Sequence, residues 1–314
     1  MTVKRRTNPL WGLILLAAAG VFVANALGIV PAGIFDLVVR AAPALLVVAG
    51  LSFLLRGRVP LGSALALIAG IAVTGAIAAA GFSSRVDQVR TDNRVALDQP
   101  IGADVGVLRL RVETGGTDVE LTRIEGGARR VGGAFLGSAA SVVSVEYTSD
   151  AGAGTLIVRE TQGDGFARLE AVGRGTLRVE LPADVPLDID FVGGAGAVTM
   201  NLGGLALERL NVVAPSGNVA VTLPDYAPQL SQRGESLGTV SVGSGDLTLF
   251  VPTAVAGRFE LDRAGNGIEP TYDSNRYNYL VGDTLEADDY DTAPAALRYS
   301  LIVPRGQIRI QVSG

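Results

Sequence analysis

Five segments in the C-terminal two-thirds of the chain share one pattern, in which two alternating apolar runs flank a short turn that contains glycine. The segments are LRVETGGTDVEL (110–121), IDFVGGAGAVTMNL (189–202), LNVVAPSGNVAVTLP (210–224), VSVGSGDLTLFV (240–251) and LIVPRGQIRIQV (301–312). Period-two alternation is typical of β-strands with one buried face. Because the copies are unevenly spaced, we predict an all-β, solenoid-like domain over residues 101–314, with rungs separated by insertions of varied length.

The turns of these segments admit two interpretations. Their predicted structural residues are the corner glycines Gly116, Gly196, Gly217, Gly245 and Gly306. Glycine supplies the positive φ of a tight corner, but a small-residue turn can also cradle a phosphate. A phosphate site needs one special loop that opens a helix, whereas here five similar loops join strands. We therefore interpret the turns as sheet corners and keep ligand binding by a single turn as the minor alternative.

The N-terminal part of the chain has a different character. Residues 1–94 hold nine basic and three acidic side chains, whereas residues 95–314 hold 17 basic and 28 acidic ones. Three apolar blocks follow one another at about residues 10–30, 34–55 and 59–82. A span of the hydrocarbon core needs about 20 apolar residues. We predict a transmembrane helical module over residues 1–85, with these three blocks as its spans, and a polar tether over residues 83–100.

The second apolar block contains two opposite charges, Asp36 and Arg40. Their i, i+4 spacing puts them on one helical face, where they can neutralise each other. Buried ionisable groups in membranes often serve a function. The simpler interpretation is an ion pair near the interface, with the arginine reaching towards water.

Basic residues predict the orientation of the membrane module. Lys4, Arg5 and Arg6 precede the first block, and Arg56 and Arg58 separate the second from the third. Positive loops face the cytoplasm, so three spans would place the β domain on the extracytoplasmic side of the cell membrane. If the first block does not fully span, the number of spans is two instead of three and the β domain is cytoplasmic.

The chain lacks the residues that several classes of catalytic and metal-binding chemistry need. The chain has no cysteine and no histidine, which removes thiolate zinc sites, cysteine nucleophiles and histidine-based acid–base catalysis. The string GESLG (234–238) matches a nucleophile elbow, but the chain offers Ser236 no histidine base and the neighbourhood is predicted to form strands. An acidic domain repels phosphate backbones. We expect no enzymatic activity, no cofactor and no nucleic-acid partner.

The segment GDTLEADDYD (282–291) is dense in acidic residues. Carboxylates of this density could bind calcium outside a cell, which gives five weak candidates: Asp283, Glu286, Asp288, Asp289 and Asp291. No glycine has the spacing of an EF-hand loop, so a solvated acidic loop is the preferred interpretation. Four tyrosines lie in or beside this segment, where they could cap an open end of the sheet stack or contact a partner. They are Tyr272, Tyr277, Tyr279 and Tyr290.

Two parts of the chain resemble known families. Residues 9–58 are similar to the LiaI–LiaF-type transmembrane region of bacterial envelope proteins, through Gly12, Gly20, Asn25 with Leu27-Gly28-Ile29, Pro43 and the ending from Gly50 to Arg58. Ala42 stands where that family usually has tryptophan. Residues from about 100 to 314 resemble the "toast-rack" β domain of LiaF-like proteins and adhesin-type proteins, through the strand–glycine–strand recurrence and the closing LIVPRGQIRIQV.

The resemblance implies a non-enzymatic bacterial membrane protein that is an accessory or regulator in cell-envelope stress sensing. Its partners would be the lipid bilayer and a membrane sensor kinase or other envelope proteins, with self-association left open. The alternative is a membrane-anchored structural or adhesive envelope protein without a signalling role. Neighbouring genes for a sensor kinase and a response regulator would favour the first.

Overall fold

The computed structural model of the chain describes residues 88–139, 141–162, 174–264 and 267–313. Within these ranges the regular structure consists of nineteen β-strands and one short 3₁₀ helix, Glu125–Gly127. None of these residues belongs to a helix that is long and apolar enough to cross a membrane. The three predicted spans and the Asp36–Arg40 pair lie outside the described residues.

Nine strands form the first sheet, in the spatial order β1-β4-β7-β3-β9-β11-β13-β19-β15. Every neighbouring pair from β7 to β15 is parallel, and the β1–β4 and β4–β7 pairs are antiparallel. The strands are β1 (Asn93–Pro100), β3 (Asp118–Arg123), β4 (Arg130–Gly137), β7 (Thr176–Leu181), β9 (Val198–Asn201), β11 (Val219–Thr222), β13 (Leu247–Pro252), β15 (Thr271–Tyr272) and β19 (Ile308–Ser313).

Ten strands form the second sheet, in the order β16-β17-β14-β18-β12-β10-β8-β2-β6-β5. The run from β14 to β6 is parallel, and antiparallel strands close both ends. The strands are β2 (Val107–Glu113), β5 (Ser141–Asp150), β6 (Ala153–Gln162), β8 (Leu187–Val192), β10 (Leu207–Ala214), β12 (Thr239–Val242), β14 (Val255–Asp262), β16 (Tyr277–Leu280), β17 (Thr284–Ala287) and β18 (Ala295–Ile302).

Each of the five repeated segments passes from the ten-stranded sheet to the nine-stranded sheet through its glycine turn. The pairs are β2–β3, β8–β9, β10–β11, β12–β13 and β18–β19, and the two sheets hold them in the same spatial order. Each pair is therefore one rung of a two-sheet stack. The predicted solenoid-like β domain is confirmed in this form.

The rungs do not stack in chain order. β2–β3 lies between β6–β7 and β8–β9, and the last rung, β18–β19, lies between β12–β13 and β14–β15. The first and last rungs are thus internal. At one end the antiparallel strands β1, β4 and β5 complete the two sheets. At the other end the antiparallel strands β16 and β17 complete the ten-stranded sheet, and the nine-stranded sheet ends in the parallel strand β15.

The two sheets share one apolar core. In β8 the inward residues Leu187, Ile189 and Phe191 are fully buried, and their neighbours on the outer face are half-buried. The facing β9 buries Val198 and Met200 in the same cluster. Alternation along each strand therefore places one apolar face against the other sheet, and this burial is the main stabilising contribution of each rung.

The predicted tether at 83–100 needs a correction in its second half. Residues 93–100 form β1, which pairs antiparallel with β4 along its whole length. Leu97 is buried in the core and Val95 packs against it. The alternating residues Arg94, Ala96 and Asp98 are exposed, and the segment is polar overall although it is a half-buried edge strand.

Candidate functional site

The glycine corners form a continuous column along the stack. A Cβ on Gly217 would overlap the carbonyl oxygen of Gly196, one on Gly245 would overlap that of Gly217, and one on Gly306 would overlap that of Gly245. Gly217, Gly245 and Gly306 also have positive φ, at 95°, 138° and 150°. Glycine is needed here for both close approach and backbone conformation.

The structure places Gly116 outside this column. A Cβ on Gly116 would meet nothing within 4 Å, whereas a Cβ on Gly196 would overlap the carbonyl oxygen of Thr117. Thr117 thus holds the corner position of the first rung. The Thr117 side chain has room because the residue next to it on the neighbouring rung is Gly175, where a Cβ would lie 2.7 Å from the Thr117 hydroxyl.

Polar atoms of the corners bind the next rung. The carboxylate of Asp118 accepts from the backbone N–H of Ala197 at 2.8 Å. The amide oxygen of Asn218 accepts from Asp246 N–H at 3.0 Å, and the Asp246 carboxylate accepts from Gln307 N–H at 3.0 Å. Because these donors are used within the stack, they are not a set of free amides pointed at an anion. The geometry favours sheet corners over a phosphate loop.

The five calcium candidates are not brought together. Asp283 accepts from Arg263 at 3.0 Å, Glu286 pairs with Arg258 at 3.0 Å, and the carboxylate of Asp288 accepts from the Asn278 side chain. The backbone carbonyl of Asp289 closes a turn by accepting from the N–H groups of Thr292 and Ala293, and Asp291 is exposed. In the described part of the chain no group of three or more acidic side chains could hold a metal ion. Three of the five carboxylates thus have other partners, and calcium binding by this segment stays the less favoured of the two predictions.

Two of the four tyrosines in or beside this segment help to cap one end of the stack. Tyr277 and Tyr290 are buried, and the Tyr277 ring lies 6.0 Å from that of Phe259 in β14. Burial raises the pKa of both phenols. Tyr279 is instead 38% exposed, so the tyrosines divide between the core and the surface.

Four exposed apolar residues lie in and beside the hairpin at this end of the stack. We call them the apolar tip: Ile268, Tyr279, Leu280 and Val281, all exposed, with Val281 fully so at 103%. The tip forms around the turn between β16 and β17, where Gly282 and Asp283 have φ of 89° and 53°. Exposed apolar side chains at neighbouring positions can form a contact surface.

Polar contacts hold the base of the tip. The Arg263 guanidinium donates to the Ile268 carbonyl, the Tyr279 hydroxyl and the Asp283 carboxylate, each at 3.0 Å. The Tyr279 hydroxyl also donates to Asp283, which raises the pKa of Tyr279 and lowers that of Asp283. Tyr272 stacks on Tyr279 at 6.3 Å between ring centroids. These contacts tie the hairpin to the loop that carries Ile268.

A buried carboxylate that sequence reasoning missed anchors the connection between β11 and β12, residues 223–238. Glu208 is 2% exposed and lies where the β10 register shifts against β8. It accepts from the Tyr226 hydroxyl at 2.7 Å and from the backbone N–H groups of Gln229 and Leu230 at 3.0 and 2.8 Å. The available signal was the adjacent pair Glu208-Arg209, which breaks the apolar alternation of the strand and indicates a bulge.

The GESLG string also has a structural role. The Ser236 hydroxyl donates to the Gly238 carbonyl at 3.3 Å. Gly238 has φ of 144°, and a Cβ there would overlap the Leu210 carbonyl. The string is therefore the entry to β12 and not a strand–turn–helix elbow.

The fold and its surface define a two-sheet, stacked β domain with structural corners and an exposed apolar tip. Residues 87–249, slightly more than half of the chain, match the family described as the N-terminal domain of toast_rack, DUF2154. The chain belongs to this family. No curated protein matches it.

Two solved structures cover most of the β domain. One, from Clostridium sporogenes ATCC 15579, is described as a "putative cell adhesion protein"; it is 15% identical, covers 70% of this chain and 99% of its own, and has a TM-score of 0.60. The other, described as a "putative adhesin" from Bacteroides fragilis NCTC 9343, is 10% identical, covers 71% and 99%, and has a TM-score of 0.24. The first shows the same fold, and the second is too dissimilar to support an argument.

Proposed function

We propose that the chain is a non-enzymatic, membrane-anchored envelope protein that presents its toast-rack domain outside the cytoplasm. Its role is that of an accessory or regulator in cell-envelope stress sensing. The observation that carries this proposal is the order of the parts: the last apolar block ends at residue 82, and the toast-rack match begins at residue 87. A domain placed so close to its anchor is suited to contact with other membrane proteins.

The apolar tip supports action through a protein partner. Its side chains are exposed on a base held by Arg263, and this arginine pairs with two acidic residues, Glu269 and Asp283. An apolar centre with a charged rim is the usual composition of a protein contact site. A membrane sensor kinase with a complementary extracytoplasmic surface is the partner class that fits this role.

Adhesion is the second candidate function. The fold shared with the Clostridium sporogenes protein, itself described as a "putative cell adhesion protein", favours it. The two functions differ in what loss of the gene does. An adhesin changes attachment and leaves the stress response intact, whereas a regulator changes the response to a cell-wall antibiotic.

The anchoring and its orientation have a direct test. A reporter that is active only outside the cytoplasm, fused after Gly314, should be active, because the basic residues Lys4–Arg6 and Arg56–Arg58 favour a cytoplasmic position for their segments. Activity of a cytoplasm-only reporter at the same junction would mean that the first apolar block does not span.

The regulatory role is tested at the apolar tip. The double variant Leu280→Ser/Val281→Ser should alter induction of a stress-response reporter while the domain stays folded. Leu230→Ser is the matched control, because Leu230 is 64% exposed on the insertion before β12. A response that is normal in the tip variant and in a gene deletion would rule out the regulatory role and leave adhesion.

A further inference from the structure

The four outer edges of the two sheets are unequally protected. Natural proteins protect edge strands by keeping them short or by adding proline and charge. Two edges are short, β15 with two residues and β16 with four. β1 ends in Pro100 and carries Asp98, which pairs with Arg130 at 2.9 Å. The fourth edge, β5, has ten residues and no proline, and its charged residues are Glu146 and the terminal Asp150.

β5 is a long and regular edge strand. Its ten residues, SVVSVEYTSD, pair with β6 without a register shift and include no proline, glycine, lysine or arginine. Val142 and Val145 are 55% and 37% exposed. Among the described residues no strand pairs with its outer edge. The side chain of Asn93 donates to the Ser141 carbonyl at 2.7 Å, so the free edge begins at Val142.

We propose that this edge binds the same edge of a second copy of the chain, in an antiparallel pair whose two-fold axis passes through Val145. Opposite residues of such a pair lie on the same face of the sheet. The axis must therefore fall on a residue, which limits the register to a few choices. An axis at Glu146 would set two like charges directly opposite, which is destabilising. An axis at Ser144 shortens the overlap.

With the axis at Val145 the edge is self-complementary. Val145 meets Val145 of the second copy, and Val143 lies opposite Tyr147 of the second copy, so partly exposed apolar surface on the core side becomes covered. On the outer face, Ser144 lies between Arg159 of β6, its partner in register, and Glu146 of the second copy. The small serine leaves room for the guanidinium and the carboxylate to approach across it.

Membrane anchoring makes a second copy the most available occupant. This step rests on the proposed function: two chains tethered in one membrane present identical edges at a high effective concentration. A C2 contact also closes on itself, so pairing of this one open edge ends at a dimer.

Cysteine crosslinking tests the register on the full chain. Because the wild-type chain has no cysteine, Val145→Cys introduces a single thiol, placed about 4.5–5.5 Å in Cα distance from its counterpart in the proposed pair. Ser149→Cys is the matched control, since its counterpart would lie eight positions along the strand, about 27 Å away. Mild oxidation in membranes and in detergent should give a disulfide dimer with Val145→Cys and little with Ser149→Cys.

A charge variant provides a second measurement. Glu146→Arg would place a positive charge near Arg159 of the second copy, where the wild-type chain has a carboxylate. This repulsion should abolish the dimer, measured by sedimentation in detergent. Glu120→Arg, on the exposed face of the other sheet, should leave it intact. Thermal melts verify that both variants fold.

The outcomes separate the two proposals. Equal crosslinking at both positions, no crosslinking at either, or an adduct with another protein in place of twice the chain mass would overturn the β5 pairing. A disulfide dimer from a chain that fractionates away from membranes would support the pairing and refute the anchoring.

Discussion

The carbonyl oxygen of Gly217 occupies the space that a Cβ on Gly245 would need. The same relationship continues on either side, from Gly196 to Gly217 and from Gly245 to Gly306. Each corner therefore depends on its neighbour being free of a side chain. The column is a shared constraint of four rungs and not a property of one loop.

Substitutions in this column should destabilise the domain. In Gly217→Val and Gly245→Val the new Cβ meets backbone that cannot move cheaply, and positive φ is unfavourable for a β-branched residue. We expect a loss of about 1–3 kcal/mol in the free energy of unfolding at each site, measured by thermal or chemical denaturation.

Gly116→Ala is the control for these variants, because a Cβ at that position meets nothing within 4 Å. It should change stability little. If Gly217 and Gly245 tolerated valine as well as Gly116 tolerates alanine, the corner geometry would be wrong. If one variant lost only a ligand-dependent activity, that turn would be a binding loop.

Much of the fold follows from local sequence patterns. Alternation such as Leu247, Leu249 and Val251 identifies strands and their buried face, and glycine two positions before such a run marks the corner. The first copy shows the limit of this rule. Its TGGT turn contains two glycines, but the corner position is Thr117, because the clearance is supplied by Gly175 on another rung.

The spatial order of the rungs could not be predicted from the sequence. Alternation specifies which face of a strand is buried but not which parallel neighbour it pairs with, so the insertion of β18–β19 between β12–β13 and β14–β15 leaves no local signal. The apolar tip was also missed. Leu280 and Val281 look like strand residues, and their exposure depends on the turn lying at the end of the stack.

The β domain should fold without the N-terminal module if β1 is included. A fragment of residues 88–314 should be β-rich by circular dichroism and melt cooperatively, since the two sheets enclose one core. A fragment of residues 101–314 lacks Leu97 and leaves the free edge of β4 unpaired. It should melt at a lower temperature, because a buried leucine alone contributes about 1.5–3 kcal/mol. A disordered spectrum from the longer fragment would contradict the domain boundary.

Glu208 should stabilise the insertion between β11 and β12. Glu208→Ala removes the acceptor of the Gln229 and Leu230 N–H groups and leaves the Tyr226 hydroxyl without its partner. We expect a loss of about 1–3 kcal/mol by chemical denaturation, together with faster proteolysis within residues 225–236. Glu120→Ala is the control, because Glu120 is exposed on β3. Equal stability of the two variants would mean that Glu208 does not hold the insertion.

The Tyr226–Glu208 contact should also give the domain an alkaline limit. Burial and then the hydrogen bond to Glu208 raise the pKa of Tyr226 to about 12, above the ordinary value of about 10 for an unfolded chain. A phenol whose pKa is raised by folding contributes stability that is fully present below pH 10 and is lost as the pH rises from 10 to 12. Tyr226→Phe should therefore be less stable than wild type at neutral pH, and the difference in the free energy of unfolding should shrink above pH 10. Other buried tyrosines affect both proteins alike, so they cancel in this comparison. Denaturant titrations of the two proteins from pH 7 to 12 measure the difference, and a difference that stays constant across this range would show that Tyr226 titrates at its ordinary pKa.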